Sequence, residues 1–490
     1  MLVGNNSTLR YPNDMLSIIR NGLPKQGESK RILIIGAGMA GLVAASLLKQ
    51  AGHDVTILEG NNRIGGRVYT IRSPFFGFGN YLDVGAMRIP TNHKLVMEYI
   101  RKFGLPVNPF INTSPEDLIY ANNVLTTRKY YEINPDVLNY PLKENEKGKT
   151  AKELFLEATQ PFIDLYYGST LEEKQRLREK YAHYSMREFL KYNPFSIDMS
   201  DAAIRKMYVL LGIEGFPEYS FIDILTDIAF PIFSQSIDFI EITGGNDLLP
   251  WSFYPELKDN IRFNQQAEKI YQTERRVKVE TINPQTKYKR CFDADYVIVT
   301  IPFPLFQFID VYPYESISFE KYQIIRELNT INAVKIGMEF KTRFWERAGV
   351  GNAVTDQPTR YTYVSSHGLG THGPAVLLAS YTWGHDSELW TSLPLEKKIK
   401  EALTDLSEIY GNVVYDEYVT TVAYDWGLNS FSAGAFTLFL PDQGEMLNEV
   451  MRKPEGRLHF AGEGPSKFHG WIEGAIESGI REAYEINKRI

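Results

Sequence analysis

The chain has 490 residues, 43% hydrophobic and 13% aromatic, with a formal net charge of −7. That length predicts two or three packed domains, and that composition a globular protein rather than a disordered or fibrous one. The acidic balance, with lysine and arginine scattered and no polybasic run, argues against a nucleic-acid partner.

Cys291 is the only cysteine, so no intrachain disulfide can form and nothing points to an oxidising compartment. The opening stretch MLVGNNSTLRYPNDML has neither the basic start nor the apolar core of a secretion signal. No segment approaches the roughly 18 apolar residues of a membrane helix, and FIDILTDIAFPIF is broken by two aspartates and a proline. A soluble cytoplasmic protein with no membrane partner is the expectation.

In chain order, RILIIG predicts a strand, MAGLVAASLLKQAG a helix stopped by Gly52, and DVTIL a second strand. From about 141 to 235 the sequence turns charged and helix-forming. Three Ser/Thr-x-x-Glu sequences lie there, Thr150 to Glu153, Thr170 to Glu173 and Ser185 to Glu188, each able to form a capping box. They predict a helical domain inserted into an α/β protein. Strand texture returns in RRVKVE and ADYVIVTIP, and IEGAIESGIREAYEI predicts a closing helix. No internal repeat, low-complexity segment or metal-ligating cluster is assigned.

Gly36-Ala37-Gly38-Met39-Ala40-Gly41 is a GxGxxG between a strand and a helix. Gly36 permits the tight turn, Gly38 lets backbone approach a pyrophosphate, and Gly41 lets helix and strand pack closely. Met39 and Ala40 open the helix whose free amides and dipole would face the phosphates. Glu59 follows 18 residues after Gly41, at the end of the second strand, placed to accept the ribose hydroxyls and to repel a 2′-phosphate. A lone GxGxxG would be weak; the strand–glycines–helix–strand–acid order makes a dinucleotide site the expectation. In Gly65-Gly66-Arg67 the guanidinium could lie against the same pyrophosphate, although taken alone Arg67 reads better as a solvated loop charge.

Together GAGMAGL, LEGNNRIGGRV, VGAMRIP, GGNDLLP, ADYVIVTIP and HFAGEGPSKFHGWIEGAIESG resemble the flavin amine oxidase superfamily, and within it the L-amino-acid oxidases. The likeness spans nearly the whole chain, IIRNGLP (18–24) included, and is weakest over 111–235. It implies an α/β fold: a Rossmann-like FAD-binding domain of the para-hydroxybenzoate-hydroxylase type, a mixed-sheet substrate domain and an inserted helical domain. The corresponding ranges are 29–72, 240–310 and 445–490 for FAD; 1–28, 73–140 and 311–444 for substrate; and 141–239 for the helices.

The resemblance also places the cofactor residues: Gly36, Gly38, Met39, Ala40, Gly41, Glu59, Gly66 and Arg67; Gly85, Ala86, Met87 and Arg88 beside the flavin ring; Ala267 at the adenine; and Gly462, Glu463, Trp471 and Ile472 over the pyrophosphate, ribityl chain and pyrimidine edge. The helix starting near Glu473 would aim its positive end at flavin N1 and O2. Ser432-Ala433-Gly434-Ala435-Phe436 fills the place where monoamine oxidases bond FAD to a cysteine, with alanine there instead, so non-covalent FAD is implied. A homodimer is common in the family.

For the chemistry, Arg88 matches the arginine that grips the substrate carboxylate through paired hydrogen bonds. Tyr381 matches the tyrosine that is the second carboxylate ligand, and Trp471 one wall of the aromatic sandwich around the amine. Lys335 matches the lysine that holds a water at flavin N5 and assists reoxidation by oxygen. Each has a bland alternative: a paired arginine, packed aromatics, or a strand lysine facing solvent with Val334 and Ile336 inward. One departure stands out. The best-known members carry a histidine after a stretch like SFIDIL, proposed as a base, where this chain has Asp227, so no base is assigned; His469 receives no chemistry either. The implied reaction is oxidative deamination of L-amino acids to 2-oxo acids, with ammonia and hydrogen peroxide released. An amine or polyamine oxidase, an L-amino-acid 2-monooxygenase and a non-catalytic flavin-binding protein remain alternatives, and the preferred amino acid, oligomeric state and physiological role stay open.

Overall fold

The computed structural model describes residues 9–25, 27–229 and 237–489. A five-stranded parallel sheet takes the order Ile261–Arg262, Asp54–Leu58, Arg31–Ile35, Tyr296–Val299, Leu458–Phe460. Its central strand RILII is buried at four of five positions, as a parallel sheet covered on both faces requires. The predicted strands and the helices Met39–Gln50 and Ile472–Lys488 all form. The two helices pack so closely that a Cβ on Gly479 would lie 2.6 Å from the Ala40 carbonyl oxygen. The helix Asn13–Asn21 joins this core through Met15, Ile18 and Ile19.

A mixed seven-stranded sheet runs Tyr418–Asp425, Ala333–Phe340, Ala375–Trp383, Tyr361–Val364, Ala353–Thr355, Leu118–Ala121, Val124–Thr127. Ala353–Thr355 and Leu118–Ala121 pair in parallel and the other neighbours antiparallel. The register sets Lys335 opposite Tyr381, and Tyr361 opposite Tyr381 on the other side. All eight residues of Ala333–Phe340 are buried, so the alternation that would send Lys335 to solvent does not operate. A four-stranded sheet carries Ala267 and a three-stranded one carries Ile89–Pro90 just after Arg88.

Helices fill much of 151–229, around a core that includes Phe162, Phe189, Met207 and Phe221. All three capping boxes form, hydroxyl to the third backbone N–H and carboxylate back to the cap N–H. Asp227 falls on the π-helical turn Ile224–Ala229, its side chain outside the described residues. Among the described residues no helix is long and apolar enough to cross a membrane.

Candidate active site

A groove of about 1640 Å³, measured out to open solvent, runs along the carboxyl ends of the parallel strands. Gly36, Gly38, Met39, Ala40, Glu59, Gly66, Arg67, Gly85, Ala86, Ala267, Lys335, Tyr381, Gly462, Glu463, Trp471 and Ile472 all line it. Gly41 lies beneath, where a Cβ would sit 2.1 Å from the Gly36 carbonyl oxygen. Met87 and Arg88 are not in this groove. They line a shorter cavity that shares Ala86, Tyr381, Trp471 and Ile472 with it.

The groove's glycines divide by what excludes a side chain. Gly36 has φ +110° and its Cβ would strike Thr300, so protein packing explains it. Gly38 has an ordinary extended conformation, and a Cβ there would meet no protein atom within 4 Å. The space it leaves opens into the groove, as a site for an approaching phosphate needs. The helices Met39–Gln50 and Ile472–Lys488 both start at the groove without a side-chain cap. Their first amides and dipole ends are suited to negative charge.

Glu59 is buried, and burial pushes its carboxyl up against the N–H groups of Ala37 (2.6 Å) and Asn61 (2.8 Å), which donate to it. Arg67 is not a free loop charge: it donates to the Ala435 carbonyl (3.0 Å) and to Glu463 (3.1 Å). Glu463 also accepts from Thr437 and Gly470, so it brackets three segments around the groove. Glu473 accepts from the N–H groups of Leu95 and Val96 and from the Tyr11 hydroxyl, tying the start of the last helix to the helix Lys94–Phe103. His469 donates to the Gly464 carbonyl and lines neither cavity. Cys291 is exposed on the strand Lys289–Ala294, away from both.

Lys335 is 1% exposed. Its ammonium donates to the carbonyls of Asp83 (2.9 Å) and Gly85 (2.7 Å) and stands 4.5 Å from the Tyr381 ring centroid. Between those carbonyls, Val84 accepts from the Trp426 indole (2.8 Å). Three successive peptide groups are thus held by two side chains. Burial pushes the Lys335 ammonium down to about 7, opposed by the nearby Asp83 carboxylate, which burial pushes up.

Arg88 is 8% exposed and lines the shorter cavity. One terminal nitrogen donates to Asn112 and to the Tyr363 hydroxyl (3.4 Å), and the rings of Phe239 and Tyr363 lie 5.5 and 5.9 Å from the guanidinium carbon. Among the described residues no carboxylate pairs with it. The other walls include Phe216, Trp383 and Phe436, whose rings pack at 5.5 and 6.2 Å around Phe216.

The sequence reading missed Asn112, Tyr363, Trp426, Phe216, Phe436 and His93. Trp383 was within reach, because two residues after Tyr381 on one strand it shares that residue's face. His93 follows Arg88 by five residues and Phe436 ends the Ser432–Phe436 stretch, but neither carries a local signature of a cavity wall, and Asn112, Tyr363, Trp426 and Phe216 come from distant segments.

A family model described as flavin-containing amine oxidoreductase matches residues 39–487. The chain belongs to this family. A second model, pyridine nucleotide-disulphide oxidoreductase, matches residues 4–72, around the glycine loop. The chain is 47% identical to "Putative L-amino-acid oxidase YobN" of Bacillus subtilis (strain 168), over 97% of this chain and 98% of that one. It is 36% identical to an L-amino-acid oxidase of Siganus canaliculatus, over 97% and 89%. By fold it is similar to wild-type putrescine oxidase bound to putrescine (TM-score 0.76, 18% identity, 94% and 100% covered) and to cyclohexylamine oxidase from Brevibacterium oxydans IH-35A (0.74, 18%, 94% and 99%). The protein is an FAD-dependent oxidoreductase of the flavin amine oxidase superfamily, and the open face of Gly38, the two uncapped helix starts and Glu59 fit a flavin dinucleotide.

Proposed function

We propose that the protein oxidatively deaminates L-amino acids, with Arg88 gripping the substrate carboxylate. The observation that carries this reading is a buried arginine without an acidic partner among the described residues, lining a cavity that adjoins the dinucleotide groove. A buried cation without a counter-ion is costly, and a bound carboxylate removes that cost. One terminal nitrogen is occupied by Asn112 and Tyr363, which fixes the plane of the guanidinium and leaves its remaining N–H groups for a two-point hold.

Tyr381 would supply a second hydrogen bond to the carboxylate, and Trp471, lining both cavities, would wall the amine and exclude water. Held so, the substrate's Cα–H bond is confined to the junction of the two cavities. Non-covalent FAD bound in the groove would supply a two-electron acceptor for hydride from Cα, with oxygen as the final oxidant yielding hydrogen peroxide. Water then hydrolyses the released imino acid to a 2-oxo acid and ammonia. Lys335, fixed by two carbonyls, would hold a water and a positive charge where oxygen reacts.

The test is anaerobic bleaching of the holoenzyme's flavin by the twenty L-amino acids, with putrescine and benzylamine as controls. Bleaching by amino acids alone supports the reading. Faster bleaching by amines would make it an amine oxidase, and an amide in place of peroxide and 2-oxo acid would make it a monooxygenase.

A further inference from the structure

His93 lines the shorter cavity and takes no part in the reading above. It is 5% exposed and stands at the start of the helix Lys94–Phe103 without making a side-chain cap. Its ring meets other rings, the edge of Trp471 at 5.1 Å and Phe468 at 6.1 Å. Neither ring nitrogen has a hydrogen-bond partner among the described residues. Burying a polar ring without a partner costs stability, and a hydrocarbon side chain would fill the same space without that cost.

The two polar groups of this cavity have different neighbours: Arg88 lies against Asn112, Phe239 and Tyr363, and His93 against Trp471 and Phe468. Burial alone acts on His93, pushing its imidazole down to about 3, so it stays neutral with one N–H donor and one acceptor. The wall is otherwise largely apolar, with Phe216, Trp383, Phe436 and Val96. A carboxylate, its Cα and its amine are only one or two bonds apart, so all would sit close to Arg88, and the side chain is the part free to extend along the cavity to His93.

We infer that His93 is a specificity-determining residue that hydrogen-bonds a polar group near the end of the substrate's side chain, so that the cavity selects aromatic L-amino acids bearing a hydroxyl or N–H. This rests on the L-amino-acid reading above. The deciding pair is L-tyrosine and L-phenylalanine, which differ by one hydroxyl. With the wild-type holoenzyme, kcat/KM should favour L-tyrosine by about tenfold, the worth of one ordinary hydrogen bond. In His93→Phe that ratio should fall to near 1, and His93→Asn, which keeps a donor and an acceptor, should retain a preference for L-tyrosine.

A wild-type ratio near or below 1 overturns the inference, as does a ratio unchanged in His93→Phe. If His93→Phe does not fold, His93→Leu is measured against the same criteria. Failure of the broader reading looks different: no L-amino acid would then bleach the flavin at all. Equal bleaching by both amino acids would defeat only the role of His93.

Discussion

Replacing Arg88 by alanine separates an amino-acid oxidase from an amine oxidase in one experiment. The guanidinium has one terminal nitrogen bonded to Asn112 and Tyr363, so three N–H groups remain, enough to give one hydrogen bond to each carboxylate oxygen. Each hydrogen bond to a charged group contributes about 1.5–3 kcal/mol, so losing two costs about 3–6 kcal/mol, or roughly 10²- to 10⁴-fold in kcat/KM. Arg88→Lys keeps the charge but not the fork, and should fall about 10- to 10²-fold. The assay is anaerobic stopped-flow reduction of the flavin over a range of L-amino-acid concentrations, with an amine lacking a carboxylate as control. The control should not share the loss. No acid pairs with Arg88 among the described residues, so its removal takes away an uncompensated buried charge rather than half an ion pair; the melting temperature of the apoprotein should hold or rise. A variant within about threefold of wild type on amino acids, well inside the span of a single such bond, would refute the carboxylate grip.

The two loop glycines should respond in opposite ways. Gly38→Ala adds a methyl where no protein atom lies within 4 Å, so apoprotein stability should be nearly unchanged while FAD affinity, measured by fluorescence titration, drops. Gly41→Ala drives a methyl against the Gly36 carbonyl oxygen and should destabilise the apoprotein by about 1–3 kcal/mol in urea unfolding. Lys335→Met should slow reoxidation of the reduced flavin by oxygen more than its reduction by substrate. With the ammonium pushed down to about 7, the wild-type reoxidation rate should fall as pH rises through that value, and the variant should be flat. Glu98 bridges Arg20 and Arg101, whose hydrogen bonds hold its carboxyl down at about 2 against an ordinary 4.5. Its folded pKa is depressed, so its contribution to stability is present above about pH 4.5 and is lost as pH falls toward 2. Glu98→Gln should therefore lose stability at pH 6 and differ less from wild type at pH 3.

What the sequence made legible was local. The strand–glycine–helix unit, Glu59 and the three capping boxes are each defined within a few tens of residues, and the physics that shapes them acts at that range. Lys335 shows where local reasoning stops. Alternation along INAVKIGMEF permits a solvent-facing lysine, and only the strands on either side, with residues 83–85 beyond, make it buried and bonded. Arg88 was readable as a candidate, but Asn112 and Tyr363, which set its plane, arrive from 24 and 275 residues away. Phe216 and Phe436 likewise meet through the packing of distant segments, which no periodicity encodes.

A hold on the carboxylate has a consequence for turnover. In the reaction proposed above, the 2-oxo acid that leaves would carry the same anionic group that the amino acid brought in, so the guanidinium would have little reason to prefer one over the other. Departure must then be driven by what has changed, the loss of the amine and the flattening of Cα. Simple carboxylic acids with an aromatic tail should accordingly compete with substrate, and accumulating product should slow the enzyme that made it.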